Sequence, residues 1–384
     1  MPDPFFLRIS LFYGAFFLYA GLAMPFMPAW LAAQGLDARE IGIVLAVPLV
    51  VRIVVVPLWT RLADRLGRTR EALVGAALAS VAGFALTAFM SGFAPILVAF
   101  ALAATAVSPV LALGDAFALR GLKGRTGRYG SVRLWGSVSF IIANLGGGLL
   151  LARLGAGDVI WAVVAALALT ALAALALGRL PAPPAEPAEA RRAGASLWRS
   201  RDFVAVALGA SLIQASHAVL YGFATLQWSA RGIGGSAIGA LWALAVVAEI
   251  VLFAFSARAV GLFGAAGMIA LGGLGGTLRW TVMAFDPPTA ALPALQCLHA
   301  LSFAATHLGT MHFLAQAAPP RAGATAQGDF VAVQGIVYAG AMGLAGVLVA
   351  AYGSLAYGAM AVAAFAGALL AGVALTSARR APTV

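Results

Sequence analysis

Charge is scarce in these 384 residues: 10% are Asp, Glu, Lys or Arg, against roughly a quarter in a soluble globular domain. The shortage excludes a fold solvated mainly by water. With 62% hydrophobic residues and a mean hydropathy of +0.98, most of the chain belongs in lipid. Acidic residues are the rarer sign, 13 against 24 Lys and Arg, for a net charge of +11. The basic residues sit in short segments between apolar runs, so the surplus reads as membrane orientation and not as a nucleic-acid surface. One cysteine, Cys297, excludes an internal disulfide and a multi-cysteine metal site. The four histidines give little support to a metal centre. His307 and His312 are five apart and face different sides of a helix, with no carboxylate or thiol spaced to join them. No nucleophile–base set or phosphate loop argues for an enzyme, and no cofactor is expected. The first apolar run, from Phe5, outlasts a signal-peptide core and lacks a small-residue cleavage site, so it is expected to remain as a span.

What is present is a series of runs long enough to cross the hydrocarbon, about 20 residues each. They cover approximately 5–33, 39–60, 70–91, 94–120, 130–152, 158–178, 202–230, 236–258, 264–284, 290–317, 325–350 and 353–377. The expected fold is an all-α membrane protein, with twelve transmembrane helices in two six-helix pseudo-repeat bundles. With a cytoplasmic N-terminus, the inner segments hold "TRLADRLGRTR", "RGLKGRTGR" and the 179–201 stretch with five arginines. The outer ones hold only Arg39, Arg153 and Arg231. The predicted location is the inner membrane, multi-pass, with both termini cytoplasmic. "LPAPPAEPAEARRAGASLWRS" (180–200) reads as a flexible cytoplasmic linker. The expected division is therefore 1–180, a linker over 181–200, and 201–384.

Self-comparison supports that division. Shifted by 197 residues, "GLDAREIGIVLAVPLVVRIVVVPLWTRLADRLG" (35–67) lies over "GIGGSAIGALWALAVVAEIVLFAFSARAVGLFG" (232–264) without gaps. Gly35 meets Gly232, Ile41 meets Ile238, Gly42 meets Gly239, Arg61 meets Arg258 and Gly67 meets Gly264. Parallel repeats are a recurring transporter design, with the site expected where the repeats meet. The same shift sets Arg52 over Glu249.

Seven ionisable residues fall well inside predicted spans: Arg52, Asp115, Arg133, His217, Glu249, Arg279 and His307, with His299 an eighth. A charge at the bilayer centre costs about 3 kcal/mol on insertion scales, and a purely structural protein gains little from so many. Asp115 and Arg133 lie roughly 6–8 Å inside the inner ends of adjacent antiparallel spans, the geometry of an ion pair. That pair reads either as a clamp between helices or as part of a binding site, with Trp135 and small residues beside the guanidinium. Glu249 is mid-span in "LWALAVVAEIVLFAFS" (241–256), whereas Arg279 lies nearer the outer side. Water or a third group is needed to link them. A carboxyl out of water favours its protonated form, and a nearby arginine opposes this. Glu249 thus reads as a proton carrier or as one half of a static salt bridge. His217, His299 and His307 are core residues or substrate and proton groups. Of the aromatics Trp30, Trp135, Tyr221, Trp228, Trp242 and Trp280, most are expected in belts or packing. Trp242 shares a helix face with Glu249, seven residues on, and is placed to line a cavity. "GGLGG" (272–276) and "GAMGLAG" (340–346) allow close helix contact.

These residues resemble a known family. "TRLADRLGRTR" is similar to the loop 2–3 signature of the major facilitator superfamily, G-x-L-A-D-R-x-G-R-R. Asp64, Arg65, Gly67 and Arg68 match it, while Thr60 replaces the leading glycine and Thr69 a basic residue. The resemblance implies a cytoplasmic gate at those four positions. More narrowly, "YGSVRLWGSVSF" (129–140), "QASHAVLYGF" (214–223), "IGALWALAVVAEIVLFAFS" (238–256), "LRW" (278–280) and "LHALSFAATHLGTM" (298–311) resemble the 3-phenylpropionate transporter branch. That branch is related to lactose permease and the nucleoside–proton symporters. In lactose-permease-like members, charged residues on spans 4, 5, 8 and 9 bind substrate and couple protons. By motif these roles fall on Asp115, Arg133, Glu249 and Arg279. Met311 follows His307 where lactose permease carries a carboxylate, so that part of the relay is absent or moved.

The implied function is proton-coupled import of a small aromatic carboxylate by alternating access. A neutral sugar or nucleoside symporter, or an efflux antiporter, is the alternative. Substrate contacts are expected from Arg133, Arg279, His217, His299, Trp135, Trp242 and Tyr221, and proton coupling from Asp115, Glu249, His307 and Arg52. The partners are substrate, protons and lipid, with no nucleic acid, and the chain is expected to act as a monomer.

Overall fold

A computed structural model of the chain describes residues 4–122, 129–180, 200–317 and 323–380, and among these every regular element is helical. The first half holds α1 (Pro4–Ala33), α2 (Ala38–Leu66), α3 (Thr69–Ala88), α4 (Phe93–Gly121), α5 (Tyr129–Arg153) and α6 (Val159–Ala176). The second holds α7 (Arg201–Ala215), α8 (Ala218–Ala230), α9 (Gly235–Ala254), α10 (Ser256–Ala284), α11 (Leu292–Cys297), α12 (Thr306–Ala317), α13 (Gly323–Tyr352) and α14 (Ala356–Arg380). Alanine, leucine and valine carry the helices, and backbone satisfied within each helix is what lipid demands. Their outward residues, such as Leu7, Val54, Leu62, Leu172 and Leu278, are large, apolar and exposed, as lipid-facing surfaces require.

Among the described residues, ten helical stretches are long and apolar enough to cross a membrane. One of them, Gln327–Val373, covers most of α13 and α14, joined through a 3₁₀ turn at Gly353–Leu355. The stretch over 292–317 is broken into pieces, each shorter than a crossing. Counting both gives the twelve spans expected. Span 7 comprises α7 and α8, and span 10 comprises α11 and α12.

The interval seen in the sequence recurs in the backbone. Gly35 and Gly232, and Gly67 and Gly264, all have positive φ and stand 197 residues apart. Gly92 and Asp286, and Gly155 and Gly353, are further positive-φ pairs, 194 and 198 apart. α1 covers 4–33, and α7 with α8 covers 201–230, the same 197 displacement. Packing follows the same order. α1 lies on α5 and α6 as α7 lies on α13 and α14, and α3 lies on α4 and α6 as α10 lies on α12 and α14.

The chain forms two compact units, Met1–Pro184 with Gly222–Ala243, and Ala185–Tyr221 with Leu244–Val384. Span 7 therefore contributes to both units. The second unit has a core of Phe203, Val206, Ala207, Ala210, Ile213, Ile269, Leu314, Phe330 and Ala371. The greater part of the expected linker, 181–199, lies outside the described residues.

Candidate functional site

The second unit gathers charge and imidazole around one guanidinium. Arg279, on α10, is fully buried at 0% exposure. Its Nη1 donates to His299 Nδ1 at 2.8 Å and to Ser302 Oγ at 3.3 Å, and its Nη2 donates to Gln296 Oε1. The guanidinium carbon lies 4.6 Å from the Trp280 ring centre. Trp280 is itself anchored, its indole N–H donating to Ser216 Oγ at 2.8 Å and its ring stacking on Tyr357.

Two irregular helices supply these partners. Span 10 opens into a π-helical segment at Ala300–Ala305, immediately after His299 and including Ser302. Such π turns inside α-helices recur at functional sites. Glycines on α10 admit it: a Cβ on Gly272 would overlap Thr306 Oγ1, and one on Gly275 would sit 2.7 Å from Leu301 Cβ. The "GGLGG" run thus serves close approach to this segment. Span 7 breaks at Ser216–His217, between α7 and α8. There His217 Nδ1 lies 3.2 Å from Ile213 O and 3.1 Å from Gln214 O. Carbonyls only accept, so Nδ1 carries the ring proton, and Nε2 accepts from Ser302 Oγ at 3.1 Å.

His299 stands between Glu249 and Arg279, where their unequal depths left room for water or a third group. Its Nε2 lies 2.9 Å from Glu249 Oε1, on α9, while Nδ1 receives Arg279. The Tyr221 hydroxyl is 3.2 Å from the same Nε2, and the Tyr221 ring stacks on His217. Glu249, His299, Arg279, Ser302 and His217 therefore form one continuous hydrogen-bonded chain. His307 lies beyond it on a ladder of rings: His299 stacks on Phe303 at 5.2 Å, and Phe303 on His307 at 6.3 Å.

The first unit holds a different arrangement from the expected ion pair. Asp115 Oδ1 accepts from the Tyr13 hydroxyl at 2.5 Å and from the Tyr129 hydroxyl at 3.1 Å. Arg133 lies over aromatic rings, 4.2 Å from the Phe17 centre and 5.5 Å from that of Tyr13. Among the described residues no ion pair joins Asp115 to Arg133. Tyr13 and Phe17 are one turn apart on α1, as Tyr129 and Arg133 are on α5, so two facing helices present matched pairs. Trp135 is 53% exposed, and the rings over Arg133 come from α1 instead.

Other expected residues lie elsewhere. Arg52 is exposed on α2, with no ion pair among the described residues. Trp242 is buried and donates its indole N–H to Thr225 Oγ1 at 3.0 Å, and Thr225 in turn donates to Pro25 O. It groups with the first unit, apart from Glu249. In the loop motif, the Asp64 side chain lies outside the described residues, and Arg65 and Arg68 are exposed. Gly67 has φ +63°, and Arg68 N–H bonds Ala63 O at 3.0 Å, the Schellman ending of a helix. Gly67→Ala is expected to lower stability by about 1–2 kcal/mol through left-handed backbone strain. Gly75→Ala, in open space on α3, should be neutral or slightly stabilising in the same melting experiment. The motif's last residue, Arg70, has a structural part: Nε and Nη2 donate to Leu177 O and Leu175 O at 2.5 and 2.7 Å, capping the end of α6.

Gln296, Ser302, Tyr13, Phe17 and Tyr129 were not anticipated as partners. The one signal for the first two is their spacing from His299, three residues to either side, which places all three along one side of the helix.

Comparison with known proteins bears on this geometry. Residues 6–366 match the model of the MFS_1 like family. Over 322 residues the chain is 30% identical to the "Probable 3-phenylpropionic acid transporter" of Escherichia coli (strain K12), covering 80% of this chain and 81% of that protein. It is 28% identical over 287 residues to the maltose permease of Geobacillus stearothermophilus, covering 72% and 71%. The crystal structure of the nucleoside transporter NupG superposes with a TM-score of 0.84 at 15% identity, covering 98% of this chain and 99% of that one. At that identity the likeness concerns the fold.

Proposed function

The chain belongs to the MFS_1-like family of major facilitator transporters, and on that footing we propose that it couples protons to the uptake of a small aromatic carboxylate. The observation that carries this is the buried chain from Glu249 through His299 to Arg279. With Glu249 ionised, the group is electrically balanced across a neutral imidazole. Protonating Glu249 adds one positive charge to the carrier at membrane depth, which an anionic substrate travelling with the proton offsets overall. A carboxylate substrate provides that offset, and a neutral one does not.

Anion contact is assigned to Arg133 rather than to Arg279. Arg279 is fully buried and already donates to three side chains. Arg133 is half-buried and rests on Phe17 and Tyr13, a cation with aromatic walls. The name carried by the E. coli relative supports the same ligand class. The 197-residue interval supports two parallel six-helix halves joined by the 181–200 linker, and the arginines of the inner segments support both termini being cytoplasmic in the inner membrane.

A second reading, a neutral sugar or nucleoside with the charges used only for coupling, is favoured by likeness to the maltose permease. Proteoliposomes with an acidic exterior separate the two. An inward pH gradient should concentrate 3-phenylpropionate, and collapsing it with a protonophore should abolish the accumulation. Accumulation of maltose or a nucleoside in its place would replace the carboxylate reading, and accumulation indifferent to the gradient would remove proton coupling.

A further inference from the structure

Between Glu249 and Arg279 lies a ring whose hydrogen-bonding partners decide where its proton sits. Arginine has five N–H donors and no acceptor. Its Nη1, 2.8 Å from His299 Nδ1, can only donate, so Nδ1 presents its lone pair. The ring proton is then on Nε2, 2.9 Å from Glu249 Oε1. His217 has the opposite tautomer, with its proton on Nδ1 against two backbone carbonyls. The groups facing His299 are Glu249 from α9, Arg279 from α10, and Tyr221 and His217 from span 7.

A histidine relays a proton by accepting it on one nitrogen and releasing one from the other. Here neither half of that step is open. Nε2 already holds a proton and points it at the carboxylate. Nδ1 is capped by a donor that cannot take a proton away. An imidazolium would also turn an Nδ1–H against the guanidinium N–H and set two cations in contact, in a site where His299 is only 3% exposed. We infer that His299 is a non-titrating bridge: locked as the Nε2–H tautomer by Arg279, it positions the Glu249 carboxylate and does not carry its proton. The proton exchanged at Glu249 then enters and leaves at the carboxylate itself, with no transfer to the ring. His299 is a positioning residue, and its value to the cycle lies in holding one acceptor and one donor in fixed places. This inference rests on the proton-coupled reading, but its geometry does not.

Glutamine is the informative replacement, because its amide retains an acceptor for Arg279 and a donor for Glu249 yet cannot be protonated. His299→Gln is expected to retain gradient-driven accumulation, well above that of His299→Leu. His299→Leu removes both contacts and should reduce accumulation about tenfold or more, the loss of a charge-assisted bond. Exchange without accumulation in His299→Gln would overturn the proposal, since only a proton-carrying histidine predicts that split. A second measurement needs no change at His299. In protein labelled with ¹⁵N-histidine and carrying His307→Gln and His312→Gln, two buried rings remain. One Nδ1–H and one Nε2–H signature should persist across the pH range of transport. An imidazolium signal replacing the Nε2–H ring would refute the lock. If wild-type protein shows no proton-driven accumulation while both tautomers persist, the coupling reading fails and the bridge stands.

Discussion

Arg133→Gln should weaken transport of an aromatic acid about 10- to 150-fold while leaving transport of the corresponding amide nearly unchanged, equivalent to the roughly 1.5–3 kcal/mol of one charge-assisted hydrogen bond. The expectation follows from what surrounds the guanidinium. It lies 4.2 Å from the Phe17 ring centre and 5.5 Å from that of Tyr13, and the nearby acid is already engaged, because Asp115 accepts from Tyr13 and Tyr129. An arginine held by rings keeps its N–H edges for a ligand, whereas one locked to Asp115 would not. Glutamine keeps a polar amide of shorter reach and removes the charge, so a loss restricted to the acid identifies the charge as the contact. Uptake of acid and amide measured in parallel, with Asp115→Asn beside them, gives the test. Equal losses for acid and amide would transfer the protein to the neutral-ligand reading, with Arg133 a packing residue under Phe17.

The fold was largely legible because lipid imposes a simple rule on the sequence. Apolar runs of crossing length, separated by glycine and charge, become helices, and most described helices begin and end within a few residues of those runs, although α2 continues to Leu66 and α10 begins at Ser256, ahead of the run expected from 264. The 197-residue register was legible for a related reason. Gly35, Gly67 and Gly232 stand at turns and Gly264 at a kink within α10, all four with positive φ, and such positions keep glycine when the surrounding side chains diverge. The site was only half legible. Rise per residue gives a group's depth but not its direction around the helix axis. Arg133 and Asp115 were thus placed at one level while their actual partners, Phe17, Tyr13 and Tyr129, stayed hidden among many aromatic residues of α1 and α5. That water or a third group links Glu249 and Arg279 followed from their unequal depths. That it is His299 did not, because the π turn at Ala300–Ala305 shifts the facing of every residue around it, and no residue type announces such a turn. Trp242 shows the same limit. A shared helix face with Glu249 was correct as periodicity, yet seven residues span about 10 Å, enough to bring Trp242 to Thr225 and Pro25 instead.

Glu249→Gln is expected to abolish gradient-driven accumulation while preserving substrate binding and exchange across the membrane. The carboxylate is 15% exposed, and its one described ion-pair contact is the Nε2–H of His299. Glutamine keeps an oxygen that accepts from that N–H, so the link to Arg279 survives, and it imitates the permanently protonated acid. A carrier in that state can load substrate and return loaded, because exchange requires no net deprotonation. It cannot complete a cycle that must release the proton before the empty site reorients. A structural salt bridge leads elsewhere: removing one charge of a buried pair costs about 3–5 kcal/mol, so stability and every transport mode would fall together. Accumulation, counterflow and melting temperature measured on one preparation distinguish these outcomes. Lost accumulation with intact counterflow and an unchanged melting temperature assigns the proton to Glu249. Full accumulation by the variant would rule it out, and a parallel loss of stability and exchange would leave Glu249 as the structural counter-charge of Arg279.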